Sequence, residues 1–356
     1  ALWLRCQRAY QELGLKNGER PKITRSNIVC AEPMPGETDL LRDFTSTLQP
    51  KVLGQLVEAV FEKMKLAGEA GSLLKIEEEI REVAGNAKFE FTQWKKHQDK
   101  AKWSLFPELA KRDQPSIFDF ADISDEDFLD RVEDEIIAAL RQYAEKASNG
   151  RVFRKKLFAE DAARGFSFVD VCRRRFDVVL MNPPFGSYPA SIQGNATSLG
   201  FPLAAKDIGT AFVQRGCELV SGSCGFVGSL TNRNYLNLPS YEEWRKAYLL
   251  EKGQLRSVAD LGYGVLDDAV VEAAAYTLAD PLITTITPAI FISCLDSTEK
   301  GVSLAERTSW FSKIGVFSGW PQEFLSMPSC VIAYTAPPSL RSRIKQWLPL
   351  KDQGLD

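Results

Sequence analysis

The segment FDVVLMNPPFG, Phe176 to Gly186, constrains the fold more than any other stretch of the chain. A short, continuously apolar run reads as a strand buried on both faces. This one ends at Asn182 and meets two prolines and an aromatic, Pro183, Pro184 and Phe185. Two prolines fix two φ angles and remove two backbone donors. The strand therefore stops here in a rigid turn, with a carbonyl held in place and left free. By average residue usage, N-P-P-[YF] arises by chance in roughly a few per thousand chains of this length. The bland reading, a stiff strand end with a packed Phe, stands beside the functional one.

The functional reading starts from position, because ligands bind at the carboxyl ends of strands in an open α/β sheet. There the Asn182 side-chain carbonyl and the Pro183 backbone carbonyl can both accept from one planar amino group. Such a nitrogen is a poor nucleophile, since its lone pair is delocalised. Two acceptors favour a pyramidal nitrogen and free the lone pair to attack an electrophilic methyl, which needs neither metal nor histidine. Phe185 offers a flat face for a planar substrate.

Composition narrows the alternatives. The 356 residues include one histidine, His97, which leaves little room for zinc hydrolases, Ser-His-Asp hydrolases or zinc deaminases. Seven cysteines form no C-x-x-C pair and read as reduced thiols of a cytoplasmic protein. No apolar run reaches the length of a membrane span. The net charge of −3 gives no overall basic signature, so contact with nucleic acid would come from local patches. Candidates are WKKHQDKAKW (94–103) and RVFRKK (151–156), with a solvated helix face as the equal alternative. The run Arg173 to Arg175 precedes the catalytic strand at the opposite sheet end and reads as solvated.

Along the chain, residues 2–13 form an amphipathic helix and Ile23 to Cys30 a short strand. Helical periods dominate from Thr38 to about Arg164. One stripe occupies positions 52, 53, 56, 57, 60, 61 and 64, and a second Leu73, Ile76, Ile80 and Val83. A third follows a cap box at Ser124 and runs through Phe128, Val132, Ile136 and Leu140. Strand logic returns at Phe176. After the Gly-rich loop 186–200, Asp207 caps a helix to about Val220. A strand (GFVGSLT), a helix (YEEWRKAYLL) and two strands around a turn follow. This alternation is an α/β domain. Beyond residue 280 the pattern is irregular and mixed.

The quoted segment resembles the catalytic motif of S-adenosylmethionine-dependent amino-methyltransferases, in particular adenine-specific DNA methylases. KDIGTAFVQRGCELVSGSCGFVGSLTNRNYL, WRKAYLL and LRSVADLGYGVLDDAVVEAAAYTL are similar to one branch of these. That branch comprises the type IIG restriction–modification methylases and the related phage-growth-limitation (BREX) methylases of bacterial phage defence. The upstream ALWLRCQRAYQELGL and ITRSNIVCAEPMPGE resemble it too.

The resemblance implies an incomplete Rossmann-like class I methyltransferase sheet with a large helical insertion and the start of a target-recognition region. Residues 1–36 would be part of the catalytic domain, 37–165 the insertion, 166–280 the catalytic half, and 281–356 the recognition region. The implied activity is methyl transfer from S-adenosyl-L-methionine to adenine flipped out of double-stranded DNA. Asn182, Pro183, Pro184 and Phe185 match the catalytic residues. Asn27 falls where the family contacts the cofactor adenine, although Asp is frequent there. Leu266 stands near the place where some relatives put a second aromatic on the base.

The resemblance further implies a bacterial cytoplasmic protein with restriction or phage-defence subunits as partners, and no metal or membrane. The chain opens without Met in mid-pattern and stops abruptly, so both ends read as cuts through a longer protein. The main cofactor loop would lie upstream, and the 356 residues alone would be inactive. Three alternatives remain open at this stage. A circularly permuted methylase would use DLGYG as its cofactor loop, with a helix starting at Leu266. The same motif serves methylases of RNA and of protein glutamine. A non-catalytic DNA-binding or specificity module is the third.

Overall fold

A computed structural model describes residues 2–16, 19–20, 28–34, 36–49, 51–78, 125–145, 152–190, 192, 199–204, 206–222, 224–251, 254–266, 271–283, 287–309 and 314–346. The strands are β1 (Val178–Met181), β2 (Phe226–Asn232), β3 (Leu255–Gly262), β4 (Ala273–Ala279), β5 (Ala289–Ser293) and β6 (Val316–Gly319). They form one six-stranded sheet in the order β1-β2-β4-β3-β5-β6. β1 is parallel to β2, β4 runs antiparallel to both β2 and β3, and β3 is parallel to β5. It follows that β1, β2, β3 and β5 end on the same edge. The result is an open, Rossmann-like α/β sheet, as expected. Residues beyond 280 are less irregular than their pattern suggested, since β5 and β6 extend the sheet.

The longer helices are α1 (Leu2–Glu12), α2 (Thr38–Thr47), α3 (Lys51–Met64), α4 (Asp125–Glu145), α5 (Val152–Arg173), α6 (Ile208–Val220), α7 (Lys300–Thr308) and α8 (Pro338–Gln346). The α3 stripe is buried at Leu53, Leu56, Val57, Val60, Phe61 and Met64, and that of α4 at Val132, Ile136 and Leu140. Aromatic rings join these helices: Phe44 lies 5.4 Å from Tyr143 and 6.4 Å from Phe158, and Phe61 stacks on Phe158 at 5.6 Å. Their core is continuous with that of the sheet. Between the layers, the buried Arg215 of α6 pairs with the buried Glu77, and Lys75 meets Glu218 at 2.9 Å.

The stripe through Leu73 and Ile76 is not one helix. Leu73 belongs to a 3-10 turn, Lys75 adopts a left-handed φ of 48°, and a new helical turn begins at Ile76. Lys75 is pinned there by Glu218 and by the Phe201 ring, 4.6 Å from its ammonium. Ile80 and Val83 lie outside the described residues. So do residues 23–27 of the expected first strand, Asn27 included, while residues 28–30 have no regular structure.

The apolar run of β1 also differs from its reading as a strand buried on both faces. Val179 and Met181 pack on the core, but Val178 is 56% exposed and Leu180 78%. β1 is an edge strand, and one sheet face is uncovered at this end among the described residues. α7 packs on that face farther along, through Leu304 against Leu261, Ile292 and Cys294.

The basic clusters are engaged internally where they are described. Arg154 reaches Asp39 at 3.6 Å, Lys155 reaches Asp43 at 2.8 Å and Lys156 reaches Glu160 at 3.9 Å. Arg173 and Arg174 share Asp170, at 2.8 and 2.7 Å. WKKHQDKAKW, with His97, lies outside the described residues. Among those that are described, no helix is long and apolar enough to cross a membrane.

Candidate active site

β1 ends at Met181, opposite Ser229 of β2, and residues 182–185 leave the strand without regular structure. Fixed φ angles at Pro183 and Pro184 dictate this exit, because neither can donate to a ladder. Asn182 and Pro184 are exposed, Phe185 is half-buried and Pro183 is buried. Among the described residues, neither the Asn182 side chain nor the Pro183 carbonyl has a hydrogen-bond partner. The motif thus presents two unengaged acceptors and an aromatic at the carboxyl end of the strand, where its sequence placed them.

α6 supports this loop from behind. A Cβ at Gly216 would lie 2.3 Å from Met181 Cε and 3.3 Å from Val227 Cγ1, so the helix packs closely on β1 and β2 here. At the helix start, Ile208 N–H donates to the Gly186 carbonyl at 3.0 Å. Gly209 lies against the loop too: a Cβ there would sit 3.1 Å from the Pro184 carbonyl oxygen and 2.5 Å from Tyr235 Oη. The helix N-terminus is therefore joined to the motif on both sides of Phe185.

Asp207 holds that N-terminus. Its side chain is buried, with the residue 3% exposed. Oδ1 accepts from Gly209 N–H and from Tyr235 O–H, each at 2.8 Å. Oδ2 accepts from Tyr241 O–H at 2.9 Å and from the Asn232 amide at 3.3 Å. Burial raises the Tyr235 and Tyr241 pKa values, and the adjacent Asp207 charge adds to the effect, so both remain neutral donors. Tyr188, which donates to the Ala204 carbonyl at 2.9 Å, is pushed up to about 12 by the same two causes.

Tyr235 is anchored in turn by Arg245. This fully buried guanidinium donates to the carbonyls of Tyr235 (2.8 Å), Cys330 (2.8 Å), Leu238 (3.1 Å) and Ser329 (2.5 Å). Sequence reasoning found the cap at Asp207 but not Asn232, Tyr235 or Tyr241. Their signal was NRNYLNLPSY, a polar and aromatic cluster directly after a strand that ends on the ligand-binding edge.

A second buried carboxylate lies in DLGYG. Asp260 of β3 accepts from Arg233 Nε at 2.6 Å and from Tyr334 O–H at 2.7 Å. β3 ends at Gly262, which pairs with Ala273 of the antiparallel β4. Leu266 lies in a bend between the two strands, half-buried, with 267–270 outside the described residues. Among the described residues, Gly262 and Gly264 lie where β3 leaves the sheet ahead of its antiparallel partner β4, and Leu266 is in a bend, not a helix.

The chain was also compared with known proteins. A search of curated proteins returns no match. Several solved structures are similar to parts of the chain at low identity. The methyltransferase subunit of the type I restriction-modification system from Streptococcus thermophilus is 13% identical, with a TM-score of 0.34, over 49% of this chain and 45% of that one. The type IIG restriction endonuclease BpuSI is 14% identical, with a TM-score of 0.34, over 50% of this chain and 25% of that one. A component of a type I restriction-modification system is 15% identical, with a TM-score of 0.34, over 64% and 57%. The chain thus spans about half or less of the length of the first two. The family model of the Eco57I restriction-modification methylase matches residues 23–265, well over half of the chain and including the Asn182–Phe185 motif. On that match, the chain belongs to the Eco57I restriction-modification methylase family.

Proposed function

We propose that the protein transfers a methyl group from S-adenosylmethionine to the exocyclic amine of adenine in double-stranded DNA, within a bacterial restriction–modification or phage-defence system. The observation that carries this reading is the pair of unengaged acceptors, Asn182 Oδ1 and the Pro183 carbonyl, at the carboxyl end of β1. Each would accept one N–H of the amine, holding the nitrogen with its lone pair directed away from the ring plane. Phe185 would stack on the base once it leaves the helix, a step required because the amine is inaccessible within the stack. Pro184 would keep the acceptors from relaxing.

When bound, S-adenosylmethionine supplies the electrophilic methyl. Among the described residues, a mostly apolar groove of about 610 Å³ begins beside Asn182 and runs over Leu180, Leu230 and Ala259, so apolar ligand surface would find cover next to the acceptors. Asn27 is proposed as a contact to the cofactor adenine. The acceptor chemistry also suits an RNA base or a glutamine amide. DNA is favoured because the chain belongs to a restriction-modification methylase family. The test incubates the protein expressed from its complete gene with methyl-tritiated cofactor and unmethylated bacterial genomic DNA, then digests the DNA to nucleosides. Label in N6-methyl-2′-deoxyadenosine supports the reading. Label confined to RNA or protein in parallel incubations would replace it.

A further inference from the structure

We infer that Asp207 is a positioning residue for methyl transfer, acting through the Asn182–Phe185 loop; this rests on the function proposed above. As a helix cap alone, Asp207 would need one hydrogen bond, that to Gly209 N–H. It accepts three more, from Tyr235, Tyr241 and Asn232. These donors come from parts of the chain that meet only at the carboxyl edge of the sheet. Asn232 ends β2, the strand paired with β1, whereas Tyr235 and Tyr241 belong to the turns that follow it. One carboxylate therefore fixes the first turn of α6 to the strand ends beside the motif. That first turn carries the two contacts that bear on the loop, Ile208 N–H to the Gly186 carbonyl and the close approach of Gly209 to Pro184.

Besides α6, the motif is held by the pairing of β1 with β2 up to Met181 and by the burial of Pro183. Asn182 and Pro184 are exposed, and the outer edge of β1 has no strand beside it among the described residues. Prolines stiffen the loop internally, but they do not set its position relative to the sheet. The first turn of α6 sets the outer half of the loop, through Pro184 and Gly186, and Asp207 holds that turn. A misplacement of about 1 Å in a reacting group can cost about 10²-fold in rate, which is the scale at which such a latch matters.

The informative variant is Asp207→Asn. Its single side-chain oxygen still caps Gly209 and accepts from Tyr235, but its NH₂ faces the Asn232 NH₂, donor against donor. The latch loosens while the cap survives. The control is Tyr334→Phe, which removes a hydrogen bond to the other buried carboxylate, Asp260, without touching the loop. Both would be made in the protein expressed from its complete gene. Single-turnover transfer from tritiated S-adenosylmethionine to unmethylated genomic DNA would be measured together with cofactor affinity, melting temperature and amide hydrogen exchange.

Asp207→Asn is expected to slow transfer by about 10²-fold, with cofactor affinity changed less than about threefold and the protein folded at the assay temperature. The Ile208 amide should exchange faster than in the wild type. Tyr334→Phe should lower the melting temperature comparably and leave the rate and the Ile208 amide unchanged. An Asp207→Asn variant that loses stability but keeps its rate would reduce Asp207 to a structural cap and overturn the inference. Should the wild type methylate RNA or protein instead, the proposed acceptor fails while the same contrast is read on the true one. Should it transfer nothing, unchanged exchange at Ile208 in Asp207→Asn would still overturn the inference, and faster exchange would support the latch.

Discussion

Asp207 and Asp260 are both buried carboxylates near the carboxyl edge of the sheet, and each accepts tyrosine hydroxyls, yet they are balanced differently. Asp260 faces a guanidinium, Arg233, and one tyrosine, Tyr334. Asp207 is surrounded by neutral donors: a backbone N–H, two phenols and an amide. An ion pair compensates charge but leaves the carboxylate little choice of partner. A set of neutral donors at a helix N-terminus compensates charge through several oriented dipoles, and so fixes several elements at once. Asp260 fastens strand to turn and tail, whereas Asp207 fastens a helix end to the loop that carries the candidate chemistry.

The contrast is sharpest at Arg233. Its removal, as Arg233→Ala, leaves Asp260 buried without its cation and should cost about 3–5 kcal/mol, measured by urea unfolding. The rate should be retained wherever the protein is still folded; a rate lost in step with that of Asp207→Asn would erase the distinction between the two carboxylates. Next in size is Gly209→Ala. Its methyl would sit 2.5 Å from Tyr235 Oη and 3.1 Å from both Asp207 Oδ1 and the Pro184 carbonyl oxygen. Overpacking of this kind costs about 1–3 kcal/mol, and here a fall in single-turnover rate should accompany it. Stability lost without any rate change would argue that the loop does not follow α6.

The smallest effect concerns alkaline pH. Tyr188, Tyr235, Tyr241, Tyr276 and Tyr334 all have pKa values raised from the ordinary 10.0, with burial as the leading cause. Above about pH 10 the unfolded chain therefore binds fewer protons than the native one, so stability is full below that pH and declines as pH rises. Ultraviolet titration should show these phenols ionising together with unfolding. Three of the five donate directly to Asp207 or Asp260. A group that ionises reversibly in the folded protein would identify the looser of the two networks.

How much of this was legible in the sequence depended on the range of the interactions. The motif, the strand before it and the cap at Asp207 are local, and local chemistry announced them: two prolines end a strand, and an Asp before an apolar helical run caps it. The hairpin of β3 and β4 was readable for the same reason. The partners of Asp207 lie 25, 28 and 34 residues away, so nothing in the local pattern tied Asn232, Tyr235 or Tyr241 to it. Burial of β1 was misjudged because an apolar run does not reveal whether its strand lies at an edge; Leu180 is 78% exposed. The left-handed backbone at Lys75 had no signal at all, since lysine gives no hint of a positive φ and the Glu218 that pins it is far along the chain.

The central claim is that Asn182 and Pro183 hold a base amine for methylation. It is tested most directly by Asn182→Ala in the protein expressed from its complete gene, with tritiated S-adenosylmethionine, unmethylated genomic DNA and nucleoside analysis of the product. The account predicts label in N6-methyl-2′-deoxyadenosine from the wild type, none from the variant, and nearly equal cofactor affinity for the two. A variant that still methylates adenine at a wild-type rate would contradict it.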